Sequence, residues 1–140
     1  MIRYANMNDF TVLRKYEHGI VDCQLKESIA AGRIVIMLSP RSSLIGWLRF
    51  NLFWDSIPFI NLLYLLDEYR GQGYGKQLLR YWENEMAARN YEKALTSTLS
   101  NERGQFFYRK NGYVDCGSIL LPNEPLEIFF LKRLTLSAAV

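Results

Sequence analysis

The stretch from Tyr69 to Lys76 reads Tyr-Arg-Gly-Gln-Gly-Tyr-Gly-Lys, and it decides the fold of this chain. It follows an apolar run from Ile60 to Leu66, and it opens a segment in which apolar residues recur with helical spacing. A strand, a glycine-rich loop and a helix in this order surround an anion with backbone N–H groups, and the start of the helix adds about half a positive charge. Glycine suits such a loop because it adopts positive φ at little cost and lets an anion approach the backbone. The stretch therefore predicts a site for a phosphorylated ligand.

Two widespread phosphate-binding patterns do not fit this loop. The dinucleotide pattern G-x-G-x-x-G fails at its last glycine, whether it is counted from Gly71 or from Gly73. The P-loop pattern matches Gly75 and Lys76 but lacks its first glycine and its final Ser or Thr. The pattern that remains is Arg70-x-x-Gly73-x-Gly75.

A second pattern lies further along the chain. It has Asn101, then Gly104, then Tyr108, and it closes with Lys-x-Gly-aromatic at residues 110–113. Together the two patterns resemble the GCN5-related N-acetyltransferases (the GNAT superfamily), whose acetyl-CoA pyrophosphate loop has the first spacing and whose later signature has the second. The chain departs from that signature at Gly104, where alanine is more usual.

The order of predicted elements matches the GNAT fold over nearly the whole chain, taken as a single domain of residues 1–140. The resemblance implies an α/β (α+β) fold with a mixed, mostly antiparallel sheet of six to seven strands and about four flanking helices. Two parallel strands of that sheet splay apart, and acetyl-CoA inserts its pantetheine arm between them. The expected strands are Ile2–Ala5, Arg33–Ser39, Leu44–Trp54, Phe59–Leu66, Ala94–Leu99, Tyr113–Leu121 and Leu126–Leu134. The expected helices are one capped by Asn8 or Asp9, one over Val21–Ala31, one from the glycine loop to about Asn90, and one from Asn101 to Gly112.

The resemblance also assigns residues to the acetyl-CoA co-substrate. Backbone groups of the splayed strand pair with the pantetheine amides, the loop binds the pyrophosphate, Asn101 contacts the pantetheine, and Tyr108 lies near the thioester sulfur. The implied cofactor-binding residues are Leu65, Leu66, Arg70, Gly71, Gln72, Gly73, Tyr74, Gly75, Lys76, Asn101 and Tyr108.

Elementary chemistry supports a role for Tyr108 in acyl transfer. Transfer of the acetyl group from a thioester to an amine leaves a thiolate, whose conjugate acid has a pKa of ~8.5. A phenol with a pKa of ~10 stays protonated at pH 7 and can donate to the leaving sulfur as a general acid. The alternative is that Tyr108 is a core residue of an amphipathic helix whose hydroxyl finds a backbone partner.

The general base is less clearly marked. An alkyl amine with a pKa of ~10.4 is neutral in only about one molecule in 2,500 at pH 7, so generating the nucleophile costs ~4.6 kcal/mol unless the site helps. Many relatives place a glutamate on the strand before the glycine loop, but this chain has no Asp or Glu from Ser56 to Leu66. The candidates are Asp55, Glu127, or water relayed by Asn61 and Tyr64. An acceptor amine of low pKa would need no base. Without a catalytic role, Asp55 would be a turn residue and Glu127 a solvent-facing strand residue.

Composition excludes several classes of protein. The 140 residues are 49% hydrophobic and 22% charged, as expected for a globular protein, and no apolar stretch is long enough to span a membrane. The net charge of +3 favours an anionic co-substrate but is too small to indicate nucleic acid. Cys23 and Cys116 have no metal-like spacing and are expected to be reduced thiols, and Met1 leads into a strand without a signal peptide. These features predict a cytoplasmic protein without a metal, and the resemblance adds a homodimer as an option.

The sequence thus predicts an acetyl-CoA-dependent N-acetyltransferase. The acetyl group would pass directly to a primary amine of a small molecule or peptide in a ternary complex. The alternative from another class is an acyl-CoA-binding sensor or regulatory module without turnover, which the missing strand carboxylate favours. An ATP- or NAD-binding protein is disfavoured because both nucleotide patterns fail.

Overall fold

A computed structural model describes residues 1–135 of the chain. This part of the chain contains seven strands and four α-helices, with two short 3₁₀ turns at Met7–Asp9 and Asp67–Tyr69. The strands are β1 (Ile2–Tyr4), β2 (Ile34–Leu38), β3 (Leu44–Phe53), β4 (Ile57–Leu65), β5 (Lys93–Leu99), β6 (Val114–Ile119) and β7 (Glu127–Arg133). The helices are α1 (Phe10–Tyr16), α2 (Asp22–Ala30), α3 (Tyr74–Ala88) and α4 (Gly104–Lys110).

The strands form one sheet in the order β1-β2-β3-β4-β5-β7-β6. The pairs β1–β2, β2–β3, β5–β7 and β6–β7 are antiparallel, whereas β4 and β5 are parallel. In the described register, Phe59 lies opposite Leu95 and Ile60 lies opposite Thr96. This architecture confirms the predicted fold class, including the parallel pair that follows from the β4-α3-β5 connection.

The chain divides into two compact units, each built from separate segments. The first contains Met1–Phe50 and Leu62–Trp82. Its core lies between helices α1 and α2 and the strands β2 and β3, where apolar side chains from both layers are buried. These residues include Leu13, Leu25, Ile29, Ile34, Ile36, Leu38 and Trp47.

The second unit contains Asn51–Asn61 and the described residues from Glu83 onward. Aromatic side chains form part of its core. The Tyr108 ring lies 5.4 Å from the Tyr113 ring and 6.3 Å from the Phe130 ring, between centroids. A separate row of rings joins Phe53 to Phe59 and Phe59 to Phe129, each pair at 5.9 Å. The predicted single domain of residues 1–140 stays a prediction.

Three local predictions were wrong. Helix α4 begins at Gly104 rather than at Asn101, and its N-cap residue Arg103 makes no side-chain cap. Strand β4 begins at Ile57 because the preceding turn is shorter than expected: Trp54 and Asp55 both adopt positive φ, 54° and 61°, as a two-residue hairpin turn requires. Consequently Trp54, predicted as the last residue of a strand, lies at the tip of the hairpin with 78% of its surface exposed.

Candidate active site

The glycine loop joins β4 to α3 in the conformation that its glycines predict. Gly71 and Gly73 have φ of 75° and 89°. A Cβ atom added at either position would meet nothing within 4 Å, so the backbone conformation, and not crowding, requires glycine here. The N–H of Gln77 donates to the Gly73 carbonyl at 3.2 Å, so Gly73 immediately precedes the first turn of the fifteen-residue helix α3. The first N–H groups of such a helix have no partner within the helix and can bind an anion.

The side chain of Arg70 folds back onto its own strand. Its Nε donates to the Leu65 carbonyl at 3.0 Å, its Nη1 lies 3.1 Å from Asp67 Oδ1, and its guanidinium lies 4.9 Å from the Tyr64 ring centroid. Both members of the ion pair are more than half exposed, so the pair contributes little to stability. In this conformation the Arg70 side chain is turned towards Tyr64, Leu65 and Asp67, and Lys76 at the start of α3 is exposed.

The end of β4 is anchored to β3. The N–H of Leu66 donates to the Ile45 carbonyl at 2.9 Å, and the Leu66 carbonyl accepts from the N–H of Tyr69 at 2.9 Å. Because hydrogen bonds alternate along an antiparallel strand, the peptide groups of Leu65 point to the opposite edge, where Arg70 meets its carbonyl. Both Leu66 groups therefore have partners within the chain, and the carbonyl of Leu65 has a partner in Arg70.

Gly46 on β3 lets the end of β4 approach β3 closely. A Cβ atom at Gly46 would lie 2.4 Å from the Tyr64 carbonyl oxygen and 2.5 Å from Leu65 Cδ2. Such distances do not occur between real atoms, so any larger residue would push the end of β4 away from β3. No sequence pattern indicates this contact, because Gly46 lies in the middle of a predicted strand.

Asn101 lies in the exposed turn between β5 and α4 and does not cap the helix. Neighbouring side chains hold this turn instead. Gln105 Nε2 donates to the carbonyls of Ser100 at 2.9 Å and Glu102 at 2.7 Å, and Glu102 Oε1 accepts from the Leu99 N–H at 2.9 Å. The contact of Asn101 with the pantetheine stays a prediction.

Tyr108 is buried where the paired residues of β4 and β5 end. Only 7% of its surface is exposed, and the hydroxyl of Thr96 on β5 is its polar partner. The Thr96 hydroxyl also donates to the Ile60 carbonyl at 3.1 Å. Burial raises the pKa of Tyr108 to about 12, an effect that the Thr96 hydroxyl partly offsets. Tyr108 is therefore a protonated donor at neutral pH.

The two predicted base candidates occupy different environments. Asp55 is exposed in the β3–β4 turn. Glu127 is half-buried at the start of β7, on the same face as Phe129 two residues on. Burial raises the pKa of Glu127; the charges of Glu102 and Glu124 add to the increase, and a hydrogen bond with Ser97 opposes it.

Two buried carboxylates escaped the sequence analysis. Glu83 on α3 has only 6% of its surface exposed and accepts from the Tyr113 hydroxyl at 2.8 Å and from Lys132 Nζ at 2.9 Å. Burial and this carboxylate hold the pKa of Tyr113 well above its ordinary value. In the first unit, Glu17 accepts from Trp47 Nε1 at 2.9 Å and from Arg49 Nε at 3.2 Å. Both carboxylates are fully engaged with partners far along the chain, so they are structural.

Comparison with known proteins identifies the family. The chain belongs to the acetyltransferase (GNAT) family, whose sequence model matches residues 3–113. A search of curated protein sequences returns no significant match. Among the described residues, no helix combines the length and the apolar character needed to cross a membrane.

Solved structures share the fold. A GNAT-family acetyltransferase from Bacillus cereus ATCC 10987 is 25% identical, with a TM-score of 0.80 over 96% of this chain and 97% of that one. PaiA N-acetyltransferase from Thermoplasma acidophilum, solved with coenzyme A, is 17% identical, with a TM-score of 0.78 over 95% and 98% of the two chains. An acetyltransferase from Bacillus anthracis, solved with acetyl coenzyme A, is 23% identical, with a TM-score of 0.67 over 73% of this chain and 62% of that one.

Proposed function

We propose that this protein transfers an acetyl group from acetyl-CoA directly to a primary amine of a small molecule or a peptide, in a ternary complex. The observation that carries the proposal is Tyr108, a buried and protonated phenol placed beside the parallel strand pair, at the position that the family signature predicts. Membership of the acetyltransferase family supports the reaction class, and the coenzyme A complexes of PaiA and of the Bacillus anthracis enzyme support the co-substrate. The two free, exposed thiols of Cys23 and Cys116 support a reducing compartment such as the cytoplasm.

The glycine loop would bind the pyrophosphate of acetyl-CoA. Positive-φ glycines and the start of α3 present N–H groups, and Lys76 adds a charge that is exposed to solvent. The N–H of Leu65 would hold the oxyanion of the tetrahedral intermediate, since backbone donors aimed at developing charge are an effective catalytic device. Asn101 would contact the pantetheine from the β5–α4 turn.

The raised pKa of Tyr108 defines how it would act on the sulfur. Complete proton transfer from a phenol of pKa about 12 to a thiolate whose thiol has a pKa of ~8.5 is uphill by about 5 kcal/mol. Burial of the thiolate would narrow this gap, because burial disfavours every anion. Tyr108 would therefore stabilise the leaving thiolate by hydrogen bonding first and release its proton late in the reaction.

Glu127 is the better candidate for the general base. A base is most effective when its pKa approaches the operating pH, and the surroundings of Glu127 move its pKa in that direction. Asp55 lies exposed at the tip of a hairpin. Its carboxylate is therefore surrounded by water and is not enclosed beside a substrate amine. Both assignments stay predictions, as does the relay through Asn61 and Tyr64.

Replacing Tyr108 by Phe tests the mechanism. We expect kcat for amine acetylation to fall about 10- to 100-fold, because the leaving sulfur loses its donor, while the affinity for acetyl-CoA changes little. Thiol release over a panel of amines measures kcat, and calorimetry measures acetyl-CoA binding. Tyr91→Phe is the matched control, since Tyr91 lies in the α3–β5 connection.

Three results would contradict parts of this proposal. Unchanged kcat in Tyr108→Phe with a good acceptor would remove the general-acid role. Tight acetyl-CoA binding by the wild-type protein without turnover on any amine would favour the sensor function. No acetyl-CoA binding would overturn the proposal as a whole.

A further inference from the structure

Two threonines of β5 differ in one respect that packing does not explain. Thr96 and Thr98 point to the same side of the strand and are both buried, with 1% and 8% of their surface exposed. The Thr96 hydroxyl donates to the Ile60 carbonyl at 3.1 Å. The Thr98 hydroxyl has no hydrogen-bond partner among the described residues. A buried hydroxyl without a partner destabilises the folded protein, and native proteins rarely keep one without a reason.

The position of Thr98 indicates what that reason is. Thr96 is the last residue of β5 with a described partner on β4, so Thr98 lies one step beyond the paired residues. Helix α4 approaches Thr98 at Gly104, where an added Cβ atom would lie 3.4 Å from Thr98 Cγ2. Since Gly104 has no side chain, nothing from this position of α4 covers the threonine.

We propose that the Thr98 hydroxyl binds the pantetheine arm of acetyl-CoA, at the amide nearest the sulfur. The inference rests on the proposed function and adds a ligand-binding residue to it. The Tyr108 hydroxyl contacts Thr96 on β5. Thr98 is two residues further along this strand, a distance of about 6.6 Å. In coenzyme A two methylene groups separate the sulfur from the first amide. A phenol at the sulfur therefore brings that amide close to Thr98.

The chemistry of the two groups matches. A hydroxyl donates one hydrogen bond and accepts others, and a secondary amide offers one N–H and one carbonyl. The pyrophosphate is an unsuitable partner, because the glycine loop is already built for it. The pantetheine amide would thus remove the energetic cost that the unpartnered hydroxyl imposes on the free protein.

The substitution Thr98→Val tests this inference, because it replaces the hydroxyl by a methyl group of similar size. We expect acetyl-CoA to bind about three- to tenfold more weakly, as for loss of one neutral hydrogen bond. Adenosine 3′,5′-bisphosphate, which lacks the pantetheine arm, should bind as it does to the wild type. The melting temperature without ligand should stay the same or rise, since the free protein loses no hydrogen bond. Thr98→Ser should retain the affinity for acetyl-CoA.

Thr96→Val is the matched control. It removes a hydroxyl that does have a partner, so it should lower the melting temperature of the free protein. Equal acetyl-CoA affinity in Thr98→Val and wild type would overturn the inference while leaving the proposed function intact. Equal weakening of both ligands, together with a lower melting temperature, would show a structural role and would also overturn it. Failure of the wild type to bind acetyl-CoA would be a failure of the proposed function itself.

Discussion

The pKa of Glu127 depends on residues that the fold brings around it. It lies opposite Leu99 on β5 and Ile119 on β6, and burial between these strands raises its pKa. A carboxyl whose pKa is raised in the folded state binds its proton more tightly there than in the unfolded chain. Its contribution to stability is therefore largest at low pH and falls as the pH rises from its ordinary value through the raised one.

Replacing Glu127 by Gln separates catalysis from stability. If Glu127 is the base, we expect kcat/KM at pH 7 to fall at least tenfold, and the decline of activity toward acidic pH to flatten, because the titrating group is gone. The free energy of unfolding at pH 7 should stay level or increase, since an ionised and half-buried carboxylate is removed. Asp55→Asn is the matched control. A pH profile of Glu127→Gln with the wild-type shape would exclude Glu127 as the base.

At the scale of elements, most boundaries follow from local chemistry. The glycine loop, the apolar stripe of α3 and the glycine at the end of α2 place those elements within about two residues, because φ and amphipathic spacing are local properties. The start of α4 does not follow in this way. Asn101 has the side chain of a good cap, but Gln105 and Glu102 organise the preceding turn through their own hydrogen bonds.

The junction of β3 and β4 gives a prediction at this scale. In Gly46→Ala the new methyl group must displace the Tyr64 carbonyl or the Leu65 side chain. We expect a loss of about 1–3 kcal/mol in the free energy of unfolding, as in other overpacked sites. The KM for acetyl-CoA should increase more than the KM for the amine, because Leu65 presents its backbone to the co-substrate in the proposed site.

Gly117→Ala controls for the loss of a strand glycine, since a Cβ atom there meets nothing within 4 Å. Urea unfolding and initial-rate kinetics on both variants provide the measurements. Equal effects of the two substitutions on the KM for acetyl-CoA would show that the Gly46 contact has no part in the site.

At the scale of the whole molecule, buried carboxylates join segments far apart in the chain. Glu83 of α3 accepts from Tyr113, which follows α4, and from Lys132 of β7. Removing one member of such a cluster leaves the others buried without a partner, which is far more costly than loss of a surface ion pair.

Glu83→Ala should therefore lower the free energy of unfolding by about 3 kcal/mol, and helix α3, which carries Glu83, should unfold in the same transition. Glu85 lies at a less buried position on the same helix. Glu85→Ala should therefore change the free energy of unfolding by less than about 1 kcal/mol. Denaturant titration followed by circular dichroism measures both. Similar values for the two variants would show that the cluster contributes no more than a surface charge.

The sequence by itself determined the family, the order of elements and the residues of both motifs. These are set by glycine conformation, apolar periodicity and fixed spacing, all of which act over a few residues. The folded chain is needed to show that Glu83 and Glu17 are buried, that Arg70 folds onto Leu65 and that Trp54 is exposed. It is also needed to show that the Thr98 hydroxyl, unlike that of Thr96, has no hydrogen-bond partner within residues 1–135. Burial and hydrogen bonding depend on neighbours that are remote in sequence, so no local pattern carries that information.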